Sequence, residues 1–298
     1  MLENIPYIGE IFASLAAIFW ATAVILFKKS GEHVHPIALN TFKSLLAVLL
    51  FLPTMYFLDK PLLRDVPLNE YLLLLLSGAL GIGMADTMFF KCLNILGAGM
   101  TAIVECLYGP FIIGLSILWL GETLSMLQFL GTFFIITAIF TSTSRKGRGN
   151  INTRDLIAGI VWGVGGLVCI AVAIVMIKPL LNRSPVLWAS QIRLIGGTLM
   201  LFIVLLCDPR RKRILKTFYS IHSWKYTLSG SIIGTYIAMV FWIGGMKFTQ
   251  ASIAAALNQT SNIFIFIFAA LFLKEAINFQ RIIAIVLGVI GAVLVIFC

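Results

Sequence analysis

Several ionisable side chains sit where an apolar chain should not hold them. The segment MADTMFFK at 84–91 puts Asp86 and Lys91 inside the run YLLLLLSGALGIGMADTMFFKCLNIL. Glu105 follows in GAGMTAIVE, Lys43 lies in TFKSLLAVLL and Arg193 in QIRLIGG. A carboxylate in such a place can hold a cation or carry a proton. A buried base can lock a carboxylate or receive an anion. Aromatic residues accompany the acids at helical spacing: Phe90 is four residues after Asp86, with Phe89 flanking it, and Tyr108 is three after Glu105. An acid beside aromatic rings suits a cationic or zwitterionic guest. A further polar set, LNQTSN, holds Asn258, Gln259, Thr260 and Asn262, whose amides can bond a guest or glue helices together. Trp20, Trp162, Tyr236 and Trp242 are candidates for an aromatic lining, each weighed against plain packing.

The elements that must position these groups follow from composition. Of 298 residues, 60% are hydrophobic and 11% charged, against about 25% charged in a soluble domain. Much of the surface must therefore face lipid. A bilayer core of about 30 Å takes about 20 apolar residues per helix. Ten segments qualify, at roughly 9–28, 37–58, 70–94, 97–119, 126–143, 156–180, 186–207, 225–247, 250–273 and 279–297. The expectation is an all-α membrane protein, integral and multi-pass, with short connections. The opening MLENIPYIGE lacks the positive region of a secretory signal, so the first apolar segment reads as a retained helix. Cys92, Cys106, Cys169, Cys207 and Cys298 form no CxxC pair and read as small buried hydrophobes.

Depth turns the spacing into a site. Leu96 marks the turn between spans 3 and 4; Asp86 and Glu105 each lie about 14 Å from it along their helices, near the membrane centre. Lys43, counted from Pro36, is about 10 Å deep, and Arg193, counted from Pro185, about 12 Å. Two acids and two bases thus converge on the midplane, where each costs about 2.5–3.5 kcal/mol if it faces lipid. They should face protein or a wet cavity. Lys43 and Arg193 are assigned charge-pairing or coupling, with Asp86 and Glu105 as their partners or as cavity acids.

Lys and Arg crowd the connections after spans 1, 3, 5, 7 and 9, notably RKGRGNINTR and DPRRKRILK. The other face holds only Lys60, Arg64, Lys178, Arg183 and Lys247. The positive-inside rule puts the crowded face in the cytoplasm and both termini outside. The net charge of +10 is a topology signal on an anionic leaflet and calls for no nucleic acid.

The chain also repeats. LGAGMTAIVECLYGPFIIGLSILWLGETLSMLQFLG from Leu96 answers FTQASIAAALNQTSNIFIFIFAALFLKEAINFQRIIA from Phe248. Glu122 and Glu275 are 153 residues apart; Ala98 and Ala251, and Glu105 and Asn258, keep that spacing. FWATAV at Phe19 answers VWGVGG at Val161 more loosely, placing Trp20 against Trp162. The reading is a first five-helix repeat at 1–143, a basic linker loop at 144–155 and a second repeat at 156–298. An odd number of spans per unit inverts the copies, the architecture of alternating-access transporters. Glu122 and Glu275, at span ends, read as anchors that cap the next helix.

Those residues carry a resemblance. Small residues open span 4 (GAGMTAIVE), Pro110 follows, then LGETLS at 120–125 and Gly131, with FLKEAIN at 272–278 in the second copy. The chain resembles the drug/metabolite transporter superfamily, in particular its ten-helix EamA-like members. In the second copy Ile263 replaces the proline and Lys274 replaces the glycine before the acid. The resemblance implies a central cavity lined by helices 1, 3, 4, 6, 8 and 9, with 5 and 10 at the rim. It also implies cytoplasmic termini, opposite to the charge pattern.

No GxxxxGK[ST], HExxH or GxSxG is present. His33 and His35 in GEHVHP have no third ligand in view, so neither metal nor cofactor is expected. The functional expectation is a secondary active transporter, not an enzyme, in a cell membrane. It would move an amino-acid-like zwitterion or organic cation, with proton coupling or exchange, as a monomer or homodimer among membrane lipids. An intramembrane lipid-modifying enzyme and a lipid flippase of the same fold stay open; an enzyme would gather its polar groups near the headgroups rather than the midplane.

Overall fold

A computed structural model describes residues 7–120, 125–143, 151–181, 183–217, 221–248, 257–258 and 260–297. Every regular element among them is helical. In the first half these are α1 (Ile8–Ser30), α2 (Pro36–Phe57), α3 (Leu68–Gly78), α4 (Asp86–Leu96), α5 (Ala98–Glu105), α6 (Tyr108–Leu120) and α7 (Met126–Thr143). The second half has α8 (Thr153–Val175), α9 (Lys178–Leu181), α10 (Val186–Cys207), α11 (Arg211–Lys216), α12 (Ile221–Gly230), α13 (Ala238–Phe248), α14 (Ser261–Leu273) and α15 (Phe279–Phe297). Six of the helical stretches are long and apolar enough to cross a membrane: Ile8–Ser30, Pro36–Phe57, Leu68–Leu96, Thr153–Val175, Val186–Cys207 and Trp224–Gly245. Shorter apolar helices run over Ala98–Ile112, Phe129–Ser142, Ser261–Leu273 and Phe279–Leu294.

Local chemistry sets the helix ends. Pro36 opens α2 at a position where a missing N–H costs nothing, and His35 Nδ1 accepts from the Ile37 amide at 3.3 Å. Lys28 and Lys29 close α1 at the negative end of its dipole. α8 stops at Val175 because Pro179 has no N–H for that carbonyl and its ring would strike it.

Two departures from regular α geometry position the site. First, α3 joins α4, and α12 joins α13, through π-helical segments at Ala79–Ala85 and Ser231–Ile237, which begin 152 residues apart. A π segment frees carbonyls from the α ladder. Asn40 of α2, fully buried, collects those of the first: its amide donates to the carbonyls of Ile82 at 2.8 Å and Gly83 at 3.1 Å, and to Thr87 Oγ1 at 3.0 Å.

Second, span 4, expected as one helix, breaks. α5 ends at Glu105 and α6 starts at Tyr108, with the Cys106 and Leu107 amides donating three residues back rather than four. Pro110 is the cause, since it cannot donate to the Cys106 carbonyl. In the second half Ile263 stands at the corresponding place, and the chain still turns at Thr260 before α14. There Thr260 Oγ1 donates to the Leu257 carbonyl.

Packing pairs the halves reciprocally. α1 lies against α12, α13 and α14, while α8 lies against α4, its π segment and α6. α10 packs on α2 and on α3; α2 packs on the π segment between α12 and α13; α5 meets α14, and α7 runs along α15. Where α3 crosses α10 the backbones touch. A Cβ on Gly78 would come 1.9 Å from the Arg193 carbonyl oxygen, and one on Gly196 would come 2.2 Å from that of Leu75.

Candidate functional site

α2 and α4 bring the first charged pair together. Lys43 Nζ lies 2.5 Å from Asp86 Oδ2, with side-chain exposures of 4% and 23%. The pair forms because Asp86 leaves the π segment on the side held by Asn40, one helical turn before Lys43 on α2. Phe90 covers it: Lys43 Nζ stands 5.7 Å from the ring centroid. Phe90 in turn contacts Phe27 at 5.1 Å and Phe89 at 5.6 Å between centroids, and Phe89 faces Trp20 at 6.2 Å. Trp20, Phe89, Phe90, Asp86 and Lys43 are therefore one assembly.

Glu105 and Tyr108 flank the break between α5 and α6. Glu105 is half-buried and interacts electrostatically with Asp86. Tyr108 and Asp86 are the electrostatic neighbours of Arg193 on α10. Arg193 Nε is buried without a hydrogen-bond partner among the described residues. Lys43 thus takes the Asp86 carboxylate, while Glu105 and Arg193 each interact electrostatically with Asp86.

The remaining candidates lie around this centre or away from it. Asn262, buried on α14, donates to Cys106 Sγ at 3.6 Å, beside the break. Asn258 is half-buried, and Gln259 lies outside the described residues. Trp162 packs under Lys91, whose Nζ is 3.7 Å from the ring centroid, so Lys91 covers an aromatic face. Tyr236, on the second π segment, shares a hydrogen bond of 2.7 Å with Thr54 and packs edge-on against Phe51. Trp242 is half-buried on α13. Asn40 is the polar residue that sequence reasoning missed; its one signal was a place three residues before Lys43 on the same face of α2.

Glu275 is not a cap for the helix that follows it. Its two carboxylate oxygens accept from the Ala98 amide at 2.7 Å and the Gly99 amide at 3.0 Å, at the N-terminus of α5 in the other half. Lys274, at φ 55, turns the chain so that Glu275 faces back into the bundle, and Asn278 caps α15 by accepting from the Arg281 amide. Glu122 lies outside the described residues. Cys92 and Cys106 are buried, Cys169 is half-buried, and Cys207, at the end of α10, is exposed rather than buried.

A cavity of about 480 Å³ opens not at the midplane but beside the α1–α2 turn, among His33, His35, Arg210, Arg213 and Thr217. Burial, then Lys91 and Arg210, hold His35 below the usual imidazole range, with Asp208 opposing. Among the described residues no three His, Cys, Asp or Glu side chains gather to hold a metal.

The geometry is that of a multi-pass helical bundle, and comparisons with known proteins agree. The chain is 27% identical to an uncharacterized transporter of Archaeoglobus fulgidus over 293 residues, covering 96% of each chain. It is 23% identical over 290 residues to an uncharacterized transporter of Methanothermobacter thermautotrophicus, covering 92% of this chain and 81% of that one. A protein solved by crystallography, 17% identical, superposes with a TM-score of 0.67 over 96% of this chain and 95% of its own, which shows a shared fold. The model of the EamA-like transporter family matches residues 7–144 and again 157–297. Matched twice and over nearly its whole length, the chain belongs to the EamA-like transporter family and is an integral membrane transporter.

Proposed function

We propose that this chain is a secondary active transporter that moves a small polar metabolite, an amino-acid-like zwitterion or organic cation, by alternating access. Proton coupling or exchange would drive it. The observation that carries the reading is the charged centre between α2, α4, α5 and α10: Lys43 paired with Asp86, and Glu105 and Arg193 beside them. Ionised groups at this depth are costly and are kept where a solute or ion must pass. Trp20, Phe89, Phe90 and Tyr108 supply aromatic walls on this reading, with Trp162, Tyr236, Asn258 and Asn262 further out; Gln259 is a candidate from the sequence alone.

The architecture that goes with it is ten transmembrane helices in two inverted five-helix repeats, 1–143 and 156–298. The reciprocal packing supports this, because exchanging the halves maps the contacts of α1 onto those of α8. So do the two π segments, the break after Glu105 and the turn at Thr260. Discontinuous helices in corresponding places of two halves are where such transporters bind their cargo.

The test is counterflow into proteoliposomes loaded with mixed unlabelled amino acids and amines, with and without a pH gradient. Accelerated exchange of at least one labelled solute supports the reading. Absence of solute exchange together with scrambling of labelled phospholipid would instead favour the flippase alternative.

A further inference from the structure

We propose that Arg193 is the receptor for a carboxylate on the transported solute, so that the guest class is one bearing a carboxylate and not a simple amine. This rests on the transport reading above and narrows it.

The two bases of the centre are not equivalent. Lys43 is neutralised by Asp86 at 2.5 Å. Arg193 forms no ion pair within 4 Å among the described residues, and its Nε is buried with no acceptor. A structural arginine at this depth would be satisfied by helix-end carbonyls or an acid, because leaving a buried donor unmet is costly, the more so when it is charged. A binding arginine keeps its donors for the guest.

The surroundings hold the guanidinium ready. Nη2 lies over Gly81 in the first π segment; a Cβ there would come 3.2 Å from Nη2 and 3.0 Å from Ala173 Cβ. Backbone contact at Gly78 fixes the helix that carries Arg193. Its electrostatic neighbours, Tyr108 and Asp86, face the same region, and Asp86 in turn interacts with Glu105.

Guanidinium groups bind carboxylates and phosphates alike, through paired N–H donors. Charge decides between them here. With Lys43 paired to Asp86, Arg193 is left without an ion pair among the described residues. A singly charged carboxylate balances Arg193, whereas a doubly charged phosphate would be repelled by the acids. An ammonium on the same guest would meet Glu105.

The experiment uses the purified full chain and thermal shifts with matched triplets: leucine, isoamylamine and 4-methyl-2-oxopentanoate, and the equivalent sets for phenylalanine, serine and glutamate. Inorganic phosphate completes the panel. In at least one triplet the amino acid should bind wild type at least about tenfold more tightly than its amine, the worth of one charge-assisted contact. Arg193→Gln should erase that difference. Gly81→Ala keeps the arginine but crowds Nη2, and should weaken carboxylate binding even if Arg193→Gln does not fold. If amines bind as well as amino acids and lose affinity in Glu105→Gln, the transport reading stands and the carboxylate receptor falls. Stabilisation by phosphate that depends on Arg193 overturns the carboxylate assignment in favour of a phosphate site. No binding by any triplet overturns both.

Discussion

Lys43 Nζ and Asp86 Oδ2 meet at 2.5 Å across α2 and α4, and Asn40 on the same face of α2 holds the π segment that delivers the acid. Breaking a largely buried pair from one side strands the other charge, at about 3–5 kcal/mol. Asp86→Asn and Lys43→Met should each lower the unfolding midpoint in detergent sharply. The Lys43→Met/Asp86→Leu double variant should recover most of the loss. Additive losses would mean the two side chains do not depend on each other.

Much of this centre was legible from residue counts, and the reason is geometric. Depth along a helix follows from a fixed rise per residue, so Asp86, Glu105, Lys43 and Arg193 could be brought to one level before any contact was known. Which base takes which acid could not be read, because that depends on helix rotation. The π segments were invisible for a related reason: GALGIGMA and GSIIGTYI have the same apolar character as the α-helix around them. The register shift of the first is met by Asn40, a partner from another helix. Pro110 was visible, yet its effect, ending α5 at Glu105, needs the geometry of the carbonyl it fails to satisfy. Tyr236 and Trp162 found local partners in Thr54 and Lys91 that nothing in their spacing announced.

Glu105 closes α5 at the break and has no ion-pair partner among the described residues. Glu105→Gln keeps its shape and removes its charge. Uptake in proteoliposomes should fall about 10–100-fold, the worth of a charge-assisted contact of about 1.5–3 kcal/mol. The protein should stay monodisperse with its unfolding midpoint nearly unchanged. Normal uptake with an unaltered pH response would make Glu105 a structural residue.

Glu275 ties the two halves by accepting from Ala98 and Gly99 at the positive end of α5. Glu275→Gln leaves one carbonyl oxygen for two donors and should cost about 1.5–3 kcal/mol, read as a lower unfolding midpoint. Gly97→Ala should act at the same contact: Gly97 sits at φ 83, and an added Cβ would lie 2.6 Å from Glu275 Oε1. The double variant should therefore be less destabilised than the sum of the two singles.

His35 links the cavity beside the α1–α2 turn to stability. Burial, Lys91 and Arg210 hold its imidazole below its ordinary 6.5, and its Nδ1 is engaged as an acceptor for the Ile37 amide. A ring kept neutral by the fold contributes fully above about 6.5 and loses that contribution as pH falls through the depressed folded value. Wild type should lose unfolding midpoint between pH 7.5 and 5.5. His35→Asn, which keeps a capping acceptor but cannot titrate, should lose less. Equal losses would show that His35 does not set the pH response.

Orientation is the last outcome to be measured, and two arguments give opposite signs. The basic helix Arg211–Lys216 lies on the face that also holds Lys28, Lys29 and Lys274, and positive charge favours the cytoplasmic side. The opposite face carries Arg64 and Arg183, the latter bonded to Glu70 at 2.8 Å. Membership of the EamA-like family argues for termini inside, which would put the basic face outside. Lys212 and Asp65, both exposed, stand on the two faces. In a cysteine-free background Asp65→Cys should react with an impermeant maleimide in intact cells, and Lys212→Cys only after lysis. The reverse pattern would show that insertion of this chain is not governed by its Lys and Arg, and that its termini lie in the cytoplasm.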